Sequence, residues 1–180
     1  MKAHTIRPLA ICVFFDGDRI FVGEGHDRVK NETFYRPLGG GIEFGEYGRH
    51  AVARELREEI GAEIINLRLM ETLENIFTGE GEVGHEIVQV YSADFSDPTF
   101  YDLDVVCGQE DDGTPFRGLW KPLADFATKG ERLYPDGLLK ILLDWREMMG
   151  MLQRHARAEE DAPLGVDWDA ALKEIHQYEE

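Results

Sequence analysis

Three carboxylates, Glu55, Glu58 and Glu59, stand at i, i+3 and i+4 in the stretch RELREEIGA. On a helix those offsets fall on neighbouring rows of one face. Like charges placed so closely repel, and an ordinary solvated helix gains nothing by crowding them beside a run of glycines. Divalent cations remove that penalty, because hard ions such as Mg²⁺ and Mn²⁺ prefer carboxylate oxygens. A carboxylate cluster that holds such ions suits phosphoryl chemistry. Metal ions so held can position a water, neutralise developing negative charge and ease the departure of a leaving group.

The elements that must position these side chains are legible from pattern. From Tyr47 to Ile60 the sequence is helical, with Ala51, Val52, Leu56 and Ile60 as an apolar stripe and the glutamates on the adjoining flank. Gly61 is the expected stop. Glu46 lies at the predicted helix start, where a negative charge suits the macrodipole. Arg54 precedes Glu58 by four residues and can pair with it. Upstream, Gly39-Gly40-Gly41 reads as a glycine loop, its backbone free for tight or left-handed conformations.

Around these, Thr5–Phe15 and Arg19–Val22 read as a β-hairpin turning at Asp16-Gly17-Asp18. Phe34–Leu38 reads as extended, Pro37 biasing Arg36 away from helix. Ile64–Phe77 suggests one or two strands, Glu86–Phe95 another, and Gly118–Pro122 a last one entering a short helix at Leu123–Thr128. Loops are expected at Gly79–Gly84 and Gln109–Thr114, and Asp136–Met149 is an amphipathic helix. Strands on both sides of the glutamate helix, with a late long helix, imply an α/β fold with a mixed β-sheet between helices.

The segment Gly40–Ala62 runs G-x5-E-x7-R-E-U-x-E-E-x-G-U, where U is aliphatic. It resembles the signature box of the Nudix hydrolase family at every defined position, Ala62 being smaller than the usual aliphatic. With a background of ~0.06 for each fixed identity, chance gives this match roughly 10⁻⁹ to 10⁻⁸ times per starting position. An ordinary charged surface helix would not carry the glycines and Glu46 at the required offsets. The resemblance implies a Nudix-type α/β/α sandwich and metal-dependent catalysis by Glu55, Glu58 and Glu59. Those three, with a main-chain carbonyl at Gly40 or Gly39, are the expected Mg²⁺ ligands, Mn²⁺ being a substitute. Glu46 and Arg54 would fix helix and loop geometry and orient the carboxylates.

The family often recruits a further acid from outside the box as general base or extra ligand. Glu110 in CGQEDDG is the candidate, with Asp111 and Asp112 as competitors; Glu59 or Glu55 could itself take the role. Arg36 and Arg28 are the expected phosphate contacts, with Lys30 nearby, since arginine suits bidentate phosphate binding. Phe44, Phe34, Tyr35 and Phe77 are aromatic candidates for stacking on a base, and His85 and Glu86 could face the pocket. Leu38 stands between Pro37 and the glycines where many family members run directly from proline to glycine.

The implied function is cleavage of a diphosphate linkage in a nucleoside diphosphate joined to another moiety, by water attack at phosphorus. The alternatives are a nucleoside triphosphate pyrophosphohydrolase, damaged nucleotides included, and a non-catalytic nucleotide-binding regulator. The proline that follows the box in many ADP-ribose hydrolases is absent, Pro98 being the first after Pro37. An isomerase on the same scaffold would need a catalytic cysteine within a supporting motif, which neither Cys12 nor Cys107 has.

At 180 residues the chain fits one domain over 1–150 with a C-terminal extension over 151–180. The extension is expected to be helical in part, near Trp168–Tyr178, and to pack on the domain or on a second subunit of a homodimer, or to be loosely ordered. A hydrophobic fraction of 43% argues for a packed core. The net charge of −17 argues against nucleic acid and anionic membranes as partners and for a small nucleotide-type substrate reached through bound cations. Both cysteines lie in apolar runs and are expected to be buried thiols. The N-terminus lacks signal-peptide architecture, so a cytoplasmic location is expected.

Overall fold

The computed structural model of the chain describes residues 5–79, 81–110 and 113–160. In chain order the strands and helices are β1 (Arg7–Val13), β2 (Phe15–Asp16), β3 (Arg19–Asp27), β4 (Glu32–Arg36), β5 (Leu38–Gly41), α1 (Gly48–Ile60), β6 (Ile64–Gly79), β7 (Glu82–Phe95), β8 (Val105–Gln109), β9 (Pro115–Pro122), α2 (Leu123–Thr128), β10 (Arg132–Leu133) and α3 (Leu138–Glu160). The chain divides into two compact units after Ile141, within α3, and everything from β1 to α2 and β10 belongs to the first. No described helix is long and apolar enough to cross a membrane.

The α/β class is as expected, and the strands divide between two mixed sheets. One has the order β5-β1-β7-β6, with β1 and β7 parallel and the other neighbours antiparallel. The second has the order β10-β4-β3-β9-β8, with β2 attached to β3 and only β10 and β4 parallel. The expected N-terminal hairpin is therefore shorter than the sequence suggests. Phe15-Asp16 pairs with Arg19-Ile20 around Gly17 at φ 58, but β1 leaves for the other sheet. The chain changes sheets at Phe14, whose fully buried ring stacks on Phe95 at 3.8 Å and fixes the crossing in the aromatic core.

Two further expectations change. Ile64–Gly79 is one long strand, paired with β7 up to a turn at Gly81, so most of the loop expected at 79–84 is ladder. The glycine run is likewise strand, not loop: Leu9 pairs with Gly41, Ala10 with Gly40 and Ile11 with Gly39. Gly39 adopts φ 129, and a Cβ there would run into the Ala10 carbonyl oxygen and the Ile11 backbone, so only glycine allows this ladder to close. Cys12 is buried as expected, whereas Cys107 is exposed. Strand β8 is an edge, and with Val106 turned inward its neighbour Cys107 must face the other way.

Helix α1 packs on β5, β1 and β8, and Ala51, Val52 and Leu56 are fully buried beside Ala10, Cys12, Phe21 and Leu38. It ends where Gly61, left-handed at φ 68, donates to the Arg57 carbonyl while Ala62 donates to Leu56. Strand β1 alternates across its sheet: Ala10 and Cys12 face α1, and Leu9 and Ile11 line a cavity on the other face. Helix α3 passes position 150, where the extension was expected to begin, without interruption as far as Glu160. The helix expected near Trp168–Tyr178 lies outside the described residues.

Candidate active site

The glutamates of α1 separate into two environments. Ala51, Glu55 and Glu59 form one i, i+4 row, and both carboxylates are buried, at 3% and 7% exposure. That row faces β5. A Cβ on Gly40 would lie 2.5–2.7 Å from the three atoms of the Glu55 carboxyl, and the Gly39 N–H donates to Glu59 Oε2 at 3.3 Å. A strand without side chains is what lets two carboxylates enter the protein here. Glu58 is one position off the row, and its side chain is about half exposed, at 51%.

Arg54 ties the cluster together. Its Nη1 donates to Glu55 Oε1 at 2.9 Å and to Glu58 Oε2 at 3.0 Å. Its Nε and Nη2 donate to the two oxygens of Glu46, each at 3.1 Å, and Nη2 also to the Gly41 carbonyl at 2.9 Å. Glu46 lies just before the helix N-cap, Tyr47, and accepts from the Glu43 N–H at 3.1 Å. It therefore anchors the entry loop and Arg54 more than it meets the helix dipole. Arg54, and after it the Glu43 N–H, hold the Glu46 carboxyl below the usual carboxylate range. The same carboxylates, Glu46 first, hold the Arg54 guanidinium firmly charged.

Glu59 is the electrostatic outlier. Burial first, then the negative charge of Glu110 and that of Glu55, push its carboxyl up to about 8, against the pull of Arg36 and the Gly39 N–H. Glu110 thus belongs to the neighbourhood of the cluster although 50 or more residues separate it in sequence. Strand β8 brings it there, at the turn closed by Glu110 N–H to Thr114 O and Gly113 N–H to Glu110 O. Its two oxygens accept from Arg36 Nη2 at 2.6 and 2.7 Å. Two expected site residues, one a phosphate contact and the other a base, are in this state paired to each other.

Beside β5 lies a cavity of about 250 Å³. Its floor is one face of the first sheet, with Arg7, Glu86 and Asn75 adjacent across β1, β7 and β6, and Leu9, Ile11 and Val88 beyond them. Asp27, Lys30, Phe34, Arg36, Tyr134 and Pro135 contribute to the rest of its lining. Gly39 and Gly40 line it too, so β5 separates the cavity from Glu55 and Glu59.

The structure brings together Glu46, Arg54, Glu55, Glu58, Glu59, Gly39 and Gly40, with Arg36 and Glu110 within electrostatic reach of Glu59. Among the described residues no three carboxylates, histidines or cysteines converge into a ready-made metal site. Phe34, Phe77 and Glu86 line the cavity. Tyr35 instead packs in the core against Phe126, and His85 bonds Glu74 at 2.9 Å. Phe44 and Arg28 are exposed and lie outside the cavity lining. Asp111 and Asp112 lie outside the described residues. Sequence reasoning missed Asn75, Arg7, Asp27 and Tyr134. The register of Asn75 with Glu86 was the signal that would have found the first, and it requires the β6–β7 pairing to be known.

Residues 5–135 match the NUDIX domain sequence family. In three dimensions the chain is similar to a NUDIX hydrolase from Nitrosomonas europaea, at 16% identity and a TM-score of 0.58, over 79% of this chain and 90% of that one. It is similar to a MutT NUDIX hydrolase from Burkholderia pseudomallei at 20% identity and a TM-score of 0.50, over 67% and 85% of the two chains. A structure described as an ADP compounds hydrolase aligns at 18% identity and a TM-score of 0.54, over 81% and 76%. Identities this low speak to the fold; the family match, which spans well over half of the chain and contains the box at 40–62, speaks to membership. The chain belongs to the Nudix family of hydrolases.

Proposed function

We propose that the protein is a divalent-metal-dependent hydrolase that cleaves the diphosphate linkage of a nucleoside diphosphate joined to another moiety. The observation that carries this reading is the meeting at β5 of two buried carboxylates with a side-chain-free backbone, directly beside a cavity. The donor set fits a hard divalent ion. Glu55 and Glu58 already share a single cationic atom, Arg54 Nη1, and Gly40 leaves room at the Glu55 carboxyl that any side chain would fill. Glu55, Glu58, Glu59 and the Gly40 carbonyl would hold Mg²⁺, with Mn²⁺ as a substitute. When bound, the metal would supply charge neutralisation on the phosphoryl oxygens and an activated water.

The chain's own residues do the rest. Arg54, held by Glu46 and the Gly41 carbonyl, keeps Glu55 and Glu58 oriented. Arg36 exchanges the Glu110 carboxylate for the non-bridging oxygens of the diphosphate. Glu110, so released, takes the proton of the attacking water at a carboxylate oxygen. The water oxygen bonds to phosphorus, the bridging P–O bond breaks, and the leaving phosphate departs with the bridging oxygen. Every residue given a role here lies within 1–150, the expected domain.

Phosphate-group release from a panel of nucleotide sugars, dinucleotide polyphosphates and triphosphates, with Mg²⁺ or Mn²⁺, tests the proposal. Turnover that a chelator abolishes is expected. Glu59→Gln is expected to lower it by more than about 100-fold, the upper range for groups that only orient metal ligands, with the fold retained. No turnover of any diphosphate with either metal, or wild-type rates in Glu59→Gln, would overturn it.

A further inference from the structure

The cavity floor carries acceptors that the described residues satisfy only in part. Asn75 and Glu86 are 5% and 8% exposed, and Asn75 Nδ2 donates to Glu86 Oε2 at 3.2 Å. Asn75 Oδ1 is buried with no hydrogen-bond partner among the described residues. Arg7 stands 3.8 Å from Glu86 Oε1, beyond hydrogen-bond length, and its own side chain is 65% exposed. Leu9, Val88, Phe77, and Phe34 set edge-on to Tyr134 at 5.5 Å give the cavity apolar and aromatic surface, while the charged lining residues Lys30, Arg36 and Asp27 are engaged elsewhere, with the Thr78 carbonyl, Glu110 and the Val29 and Lys30 N–H groups. A carboxylate with a single close donor and an amide oxygen with none are costly in such a place, and a ligand that brings donors to the carboxylate lowers that cost.

Both oxygens of Glu86 retain accepting capacity after the bond to Asn75. The matching group is therefore planar, to lie between the aromatic side chains, and carries two adjacent N–H donors on one edge. Among nucleobases guanine has that edge, with N1–H beside the N2 amino group. Adenine and cytosine place an acceptor nitrogen next to their amino group, and uracil flanks its single N–H with carbonyls, so each would set an acceptor against the carboxylate.

We propose that this cavity is the base-reading subsite of the enzyme and selects guanine-type bases, with Glu86 accepting from N1–H and the N2 amino group, Asn75 positioning that carboxylate, and Phe77, Phe34 and Tyr134 enclosing the ring. The assignment rests on the hydrolase reading only for which half of the substrate lies here, since base recognition can be measured without turnover.

Equilibrium binding of GMP, IMP and AMP to the full chain, in chelator, separates the two. GMP is expected to bind about 10- to 100-fold more tightly than AMP, the range for a charged hydrogen bond gained against an acceptor clash, with IMP between them because it keeps N1–H and lacks the amino group. Glu86→Gln is expected to bring GMP and IMP to the same affinity. Equal affinity of the wild type for GMP and AMP, no binding of any of the three, or a loss in Glu86→Gln shared equally by all three would overturn the proposal. The wild-type series decides alone if the variant fails to fold. Turnover without base preference would sink this assignment and spare the hydrolase, and guanine preference without turnover the reverse.

Discussion

Glu59 illustrates how a single side chain carries opposed demands. Its carboxyl lies at about 8 in the folded chain against an ordinary 4.5, so between those values the folded state keeps a proton that the unfolded chain has released. Folding then binds the extra proton, and stability falls as pH rises through the window. The metal-free protein is expected to lose melting temperature steadily from about pH 4.5 to 8, and Glu59→Gln to flatten that decline. Calorimetric or fluorescence melts in chelator across this range check it, and an unchanged slope in the variant would remove Glu59 as the cause. The glutamate trio and Arg54 were legible because their spacing is local to one helix. The pairing of Arg36 with Glu110, 74 residues apart, was not, since each was expected to act alone and only the closure of the second sheet brings them into contact.

At the scale of elements, β5 is the informative piece. Gly39 and Gly40 are neighbours with different reasons to lack a side chain. At Gly39, φ 129 and the adjoining backbone of β1 forbid a Cβ, so Gly39→Ala is expected to destabilise the fold by about 1–3 kcal/mol or more. At Gly40 the obstacle is the Glu55 carboxyl, at 2.5–2.7 Å. Gly40→Ala is therefore expected to displace that carboxylate and to cost about 100-fold in turnover while melting close to the wild type. Parallel measurements of kcat and Tm on the two variants check the contrast; equal losses of stability would reject it. The sequence foresaw α1, α2 and most strands, because amphipathic period and turn residues are local signals. It misread the glycines as loop, because a strand made of glycine has no alternation to show and is specified entirely by its partner.

For the whole molecule, a net charge of −17 sets the terms on which an anionic substrate arrives. Self-field repulsion is screened by salt over a Debye length of about 10 Å at 0.1 M. With the divalent metal held saturating, kcat/KM for a nucleotide diphosphate is expected to rise severalfold between about 10 and 150 mM monovalent salt, with kcat little changed. Steady-state kinetics over that range check it, and a fall in kcat/KM would mean that local cations dominate the approach. Fold class was readable at this scale, but the division into two sheets was not, because it depends on where β1 crosses, and Phe14 announces nothing until its stacking partner Phe95 is in place. The bare strand β5 has one more consequence, for change over time. With the proposed base-reading residues of β6 and β7 on one side of it and the glutamates of α1 on the other, substitution at positions 75, 77 and 86 is expected to rewrite the cavity floor while the carboxylates keep their contacts with Arg54.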